Sequence, residues 1–370
     1  MKMTDRYDPN TFNAMNAAVT YLLFYAVMAA MGLLLSLGAL IVVRTGGVLD
    51  EGVLLFVNEW LLFFGLGGLA LLIAKKKRVK LLSGGGFQCD PRPSMEGLMT
   101  VVGTCGLLIL LLPLAERVSE WVRVLYETTG ATPPSTEIAT QYEGLLAFTV
   151  LVMTPIIPAI VEELIFRGII LRGLMQYGKT AAIVLSSFLF ALAHRNAEQF
   201  IYQFLLALAI GALVTETRNL FLGMLAHFTN NLFASLFSMS LYALTGEGAT
   251  AARKEAVAQL MFILLAAVCF TVALCYFIRR FKAGKTETVS LVNAAMVGAN
   301  GVELVPWRAC GALAEEVGSV GYLNGKNEVL ALNVKSKTAT PIVLLAVGAV
   351  LCFLELVLNF LLPYIEFLLK

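Results

Sequence analysis

The chain holds two histidines, His194 and His227, and both fall inside apolar stretches. The same region carries the adjacent pair Glu162-Glu163, then Arg167, and later Asn231. Ionisable groups in hydrocarbon are costly and normally face a bundle interior or a water-filled cavity. Glu163 and Arg167 are four apart, so a helix would place them on one face, where the guanidinium could hold one carboxylate ionised and fixed. Glu162 is rotated by about 100° and is left for other work. His227 and Asn231 are also four apart, and two stacked hydrogen-bonding side chains suit the stabilisation of an oxyanion. A carboxylate beside an imidazole suits general-base chemistry. Upstream, Pro155 and Pro158 each remove a backbone donor and open the carbonyl one turn back, a place for water or an extended peptide to enter. Each fragment also has a plainer reading: an ion pair at a helix end, a satisfied core histidine, an interhelical hydrogen bond, an ordinary proline bend.

The elements that must position these groups are membrane helices. The chain has 370 residues, 59% hydrophobic and 14% charged, against about 25% charged in soluble domains. Its mean hydropathy is +0.82. The net charge of +2 leaves no nucleic-acid footprint. About twenty apolar residues cross a bilayer. That rule predicts spans near 17–43, 53–74, 97–115, 145–173, 180–196, 199–215, 219–245, 256–278 and 340–368. The fifth to seventh have short connections, so one could be re-entrant or two could form a broken pair. The first run is too long for a signal-peptide core and reads as a retained helix. The predicted fold class is all-α: a polytopic transmembrane bundle of eight to nine helices with a small soluble insert before the last.

The expected organisation is N-terminal transmembrane helices and loops over 1–144, a catalytic core over 145–245, a helix with a basic linker over 246–285, an insert over 286–338 and a last helix over 339–370. Lys75, Lys76, Lys77, Arg78 and Lys80 follow the second span, Arg172 and Lys179 flank the end of the fourth, and Arg279, Arg280, Lys282 and Lys285 follow the eighth. These clusters share one side, the cytoplasmic one, when the N-terminus is cytoplasmic. Arg253 and Lys254 are a mild exception. Glu116 to Glu143 reads as a separate piece, amphipathic at first and then broken at Pro133-Pro134, lying along the interface or against the bundle. The insert carries β-like runs such as Val329 to Val334. Gly84-Gly85-Gly86 lacks a phosphate-loop continuation and reads as a loop. Cys89, Cys105, Cys269, Cys275, Cys310 and Cys352 form no CxxC pair and read as small apolar residues. No internal repeat is visible. With cytoplasmic helix ends near Gly173, Thr180 and Asn219, Glu162 lies about 16 Å in, His194 about 21 Å and His227 about 12 Å, so adjacent helices could bring them to similar depth.

Together the motifs resemble the CPBP family, the CAAX proteases and bacteriocin-processing enzymes also called the Abi family. Its signature EExxxR, FxxxH and HxxxN appears complete and in order as Glu162-Glu163…Arg167, Phe190…His194 and His227…Asn231. The resemblance covers residues 145–245 and implies hydrolysis of peptide bonds in membrane-associated proteins or peptides. It implies that Glu162 and His194 position and deprotonate a water, that His227 and Asn231 bind the oxyanion, and that Glu163, Arg167 and Phe190 support them. No metal is favoured. Zinc is the alternative, held by Glu162, His194 and His227, although HExxH is absent. The expected setting is a multi-pass protein of a bacterial cell membrane, with the lipid bilayer and a peptide substrate as its partners. Competing readings are a non-proteolytic binding or bacteriocin-immunity protein of the same fold, and a proton-coupled transporter using Glu59 and Glu355.

Overall fold

The computed structural model describes residues 12–79, 81–82, 89–129, 144–244, 263–281, 320–323, 329–332 and 340–369. Nine helices run through the described residues: α1 Ala14–Arg44, α2 Glu51–Lys77, α3 Met95–Thr129, α4 Gly144–Tyr177, α5 Lys179–Ala193, α6 Ala197–Thr217, α7 Leu220–Leu244, α8 Ile263–Phe281 and α9 Thr340–Leu369. Six of them (α1 to α4, α6 and α8) are long and apolar enough to cross a membrane. The chain is a multi-pass membrane protein with an all-α fold. Beside the helices, Val320–Leu323 (β1) and Val329–Leu332 (β2) pair antiparallel, with Val320 opposite Leu332. The rest of the 286–338 insert, Cys310, Pro133-Pro134, Gly84 to Gly86, Lys80, Arg253, Lys254, Lys282, Lys285 and the Glu355 side chain lie outside the described residues.

Helix boundaries follow local chemistry. Asn13 and Asn16 form a reciprocal cap at the start of α1, each side chain accepting from the other's backbone N–H. Asp50 caps α2 by accepting from Val53 N at 2.8 Å. At its far end α2 carries Lys75 to Lys77, where cations favour the negative helix terminus, and Arg78 closes it in the left-handed region at φ 55°. Two expectations need correction. The piece beginning at Glu116 is not separate: α3 continues through Pro113 to Thr129, burying Val118 and Tyr126 while Trp121 stays exposed. The fifth span does not reach residue 196, because the helix stops at Ala193 and His194 caps it.

The outer faces are apolar, as with Leu33, Leu34, Phe64, Leu71, Leu72, Leu264 and Val268, all exposed. Lipid tails are as apolar as these side chains, so helix association rests on close packing and interior polar contacts. Close packing is visible where Gly106 of α3 meets the backbone of Ala266 and Phe270 on α8. α4 occupies the centre and packs against α1, α2, α5 and α7. Its Phe166 stands edge-on to Phe24 at 5.2 Å and to Phe190 at 5.0 Å, and Tyr21 Oη donates to the Leu189 carbonyl at 3.1 Å. α2 runs parallel to α4, since Gly52 lies against Leu146 and Gly67 against Val161. The basic ends of these two helices therefore share one side.

α4 contains two π-turns, Thr149–Met153 and Phe166–Leu171. The first precedes Pro155, where the missing N–H already interrupts the ladder. The second falls across Arg167, and single π-turns recur at functional sites. The far end of α4 presses on the start of α1: a Cβ at Gly173 would stand 2.5 Å from the Asn13 carbonyl oxygen. Gly173→Ala is expected to cost about 1–3 kcal/mol by overpacking, seen as a lower thermal midpoint in detergent. An unchanged midpoint would disprove the close approach.

Candidate active site

Glu163 lies at the centre of the site and is fully buried. Its Oε1 accepts from Arg167 Nη1 at 2.6 Å and faces His227 Nδ1 at 3.1 Å. Arg167 is 1% exposed, its Nη2 donates to the Ala207 carbonyl of α6 at 3.2 Å, and its guanidinium lies 4.6 Å from the Phe190 ring. The carboxylate is thus held by its own helix and by α7, while the guanidinium ties α4 to α5 and α6. An ionised carboxylate only accepts, so His227 must carry its proton on Nδ1 when the two are bonded. His227 Nε2 then faces Glu162 Oε2 at 4.0 Å. Glu162, one residue from Glu163, is turned to the other side of the imidazole.

His194 ends α5. Its Nδ1 lies 2.9 Å from the Phe190 carbonyl, which can only accept, so Nδ1 carries the proton and Nε2 presents a lone pair. Arg195 takes the left-handed conformation at φ 53°, and Asn196 accepts from Glu198 N to start α6. A three-residue turn therefore places His194 between two antiparallel helices rather than inside one. Glu162, Phe166, His194 and Arg195 line one cavity of about 170 Å³ with Phe24 and Met28 of α1. A larger open groove of about 690 Å³, lined by Met99, Val272, Tyr276 and Arg279 among others, lies between α3 and α8 and includes none of these groups.

The structure brings together Glu162, Glu163, Arg167, Phe190, His194 and His227. Phe190 stands between the two imidazoles, 4.7 Å from His194 and 5.8 Å from His227 by ring centroids. Asn231 lies one turn beyond His227 on α7 and its Oδ1 accepts from Asn230 Nδ2 at 3.0 Å. Among the described residues no group of three His, Cys, Asp or Glu side chains that could hold a metal ion is found. Glu59 is buried and accepts from Thr154 Oγ1 at 3.2 Å.

Several site residues escaped the motif reading. Ala207 contributes only a carbonyl, which no side-chain pattern reports. Gly223 contributes space: a Cβ there would meet Val214 Cγ2 at 2.5 Å and Glu163 Oε2 at 3.1 Å. The turn after His194 did leave a signal, because Asn196 followed by Glu198 is a helix-start pattern.

Removing one partner of a buried ion pair strands the other charge. Arg167→Met is expected to cost about 3–5 kcal/mol, read as a large loss of folded protein in detergent, and Arg167→Lys will not restore the paired contacts. Gly223→Ala should abolish the site's activity with a smaller loss of stability, because the added methyl displaces Glu163 or Val214. A fully active Gly223→Ala protein would show that Glu163 needs no such space.

No curated protein and no solved structure gives a significant match to the chain. A family model does: the match is to "Type II CAAX prenyl endopeptidase Rce1-like" and spans residues 144–233. That segment contains Glu162, Glu163, Arg167, Phe190, His194, His227 and Asn231, and over these residues the chain is similar to the Rce1-like type II CAAX prenyl endopeptidase family.

Proposed function

We propose that the protein is an intramembrane CAAX-type endopeptidase that works without a metal, through a water held between Glu162 and His194. The observation that carries the reading is the shared cavity, with His194 Nδ1 already committed to the Phe190 carbonyl. A water there can donate one proton toward the Glu162 carboxylate and the other toward His194 Nε2, which leaves its oxygen lone pairs free for attack. The water oxygen bonds to the scissile carbonyl carbon as a proton passes to Glu162. The carbonyl π electrons move to oxygen and form the tetrahedral oxyanion. Collapse of this intermediate restores the carbonyl, breaks the C–N bond and delivers the proton to the departing nitrogen, giving an acid and an amine.

His227 and Asn231 stabilise the oxyanion. Because His227 Nδ1 is bonded to Glu163, a donor at Nε2 requires the imidazolium form. Glu162 and Glu163 flank that cation on its two nitrogens at 4.0 and 3.1 Å. Glu163 is therefore more than a partner of Arg167: it fixes the orientation of His227. The substrate is a membrane-associated protein or peptide, and the basic ends of α2 and α4 orient the N-terminus to the cytoplasm.

The test is cleavage of a farnesylated, internally quenched CAAX peptide by the purified protein in detergent, with and without a strong zinc chelator. Wild type is expected to cleave in both conditions, and folded Glu162→Ala and His194→Ala proteins to lose at least about a hundredfold in rate. Chelation that stops cleavage, with zinc restoring it, would replace this mechanism by a metal one. A wild type inert toward this peptide and a broad membrane-peptide set would favour a binding protein of the same fold.

A further inference from the structure

We infer that Tyr202 is a positioning residue, acting through Asn230 to set which end of the Asn231 amide faces the reaction. The inference rests on the proposed oxyanion role of Asn231. The Tyr202 hydroxyl on α6 donates to Asn230 Oδ1, and Asn230 Nδ2 donates to Asn231 Oδ1 at 3.0 Å. Asn230 is 4% exposed and Tyr202 half-buried. The middle of the relay is therefore shielded from water, while Tyr202 and Asn231 at its ends are partly exposed.

The polarity of this chain matters. A primary amide has a donor end and an acceptor end of nearly the same shape, and only hydrogen bonding tells them apart. With Oδ1 of Asn231 held by Asn230, its Nδ2 is the end left to serve the oxyanion. A flipped Asn231 would present an oxygen there and repel the charge it should stabilise. Asn230 can impose this order only if its own amide is fixed. The Tyr202 proton favours that, because it needs an acceptor and turning Asn230 over would replace the accepting Oδ1 with an amide NH2. One hydroxyl on α6 thereby sets the orientation of two successive amides on α7. Phenylalanine would fill the same volume without choosing an orientation.

The relay predicts a rate effect rather than a binding effect. With the farnesylated CAAX peptide as probe, Tyr202→Phe is expected to lower kcat about tenfold and leave KM within about twofold. Asn231→Ala should lose about 10²–10³ in kcat, as for an oxyanion donor. Tyr202→Phe added to Asn231→Ala should have no further effect, because the relay then has nothing to orient. Asn230→Asp, which cannot donate to Asn231, should fall to the level of Asn231→Ala and carries the test if Tyr202→Phe fails to fold. A wild-type kcat for folded Tyr202→Phe or folded Asn230→Asp overturns the relay. So does a tenfold loss from Tyr202→Phe that persists in the Asn231→Ala background, since that marks a general packing role. If Asn231→Ala itself keeps full rate, the oxyanion reading falls. If Asn231→Ala is impaired and Tyr202→Phe is not, the relay alone falls.

Discussion

A carboxylate with no access to water governs this bundle. Glu163 is sealed inside it, and such a charge is tolerated only where partners replace the lost hydration. Arg167 supplies one partner from the next turn of α4, and His227 supplies the other from α7. The guanidinium needs acceptors of its own and finds one at Ala207 on α6, with the Phe190 face of α5 alongside. Four helices are thus fixed around a single oxygen atom. The requirement to bury Glu163 also explains why position 223 has no side chain, since that face of α7 must come close enough for His227 to reach.

In lipid the usual sorting of residues is turned around. Apolar side chains gain nothing from hiding in the middle, so the interior is free to hold polar groups that would be unaffordable against acyl chains. Glu59, Thr104, Glu163, Arg167, His227 and Asn230 are buried, while leucines and valines cover the outside. α4 takes the central place with a ladder broken twice by π-turns. Such turns leave some backbone groups without regular partners, which is tolerable in the middle of a protein and not against lipid.

Much of this was legible in the residues. Apolar length located the helices, and the four-residue spacing of Glu163 with Arg167 produced the buried pair at 2.6 Å. Other features were not legible, for physical reasons. Periodicity alone cannot distinguish one 35-residue helix through Pro113 from a span followed by a separate amphipathic piece. The Glu163–His227 contact joins residues 64 apart in sequence, and no local spacing encodes a contact of that kind. The end of α5 was placed three residues late although His194, Arg195 and Asn196 are polar, because the change of direction depends on one backbone conformation at Arg195. The π-turns have no side-chain signature beyond the nearby prolines.

The reversal at His194, Arg195 and Asn196 has a mechanical consequence. Machinists hold tolerances by measuring every dimension from one reference surface, and this hairpin plays that part. His194 hangs from its near edge, while Tyr202 and Ala207 sit at fixed heights along the helix that leaves it. With so few residues in the turn, α5 cannot slide against α6 without carrying the whole set along. Errors in placing His194, the Ala207 carbonyl that anchors the guanidinium and Tyr202 are therefore shared rather than accumulated.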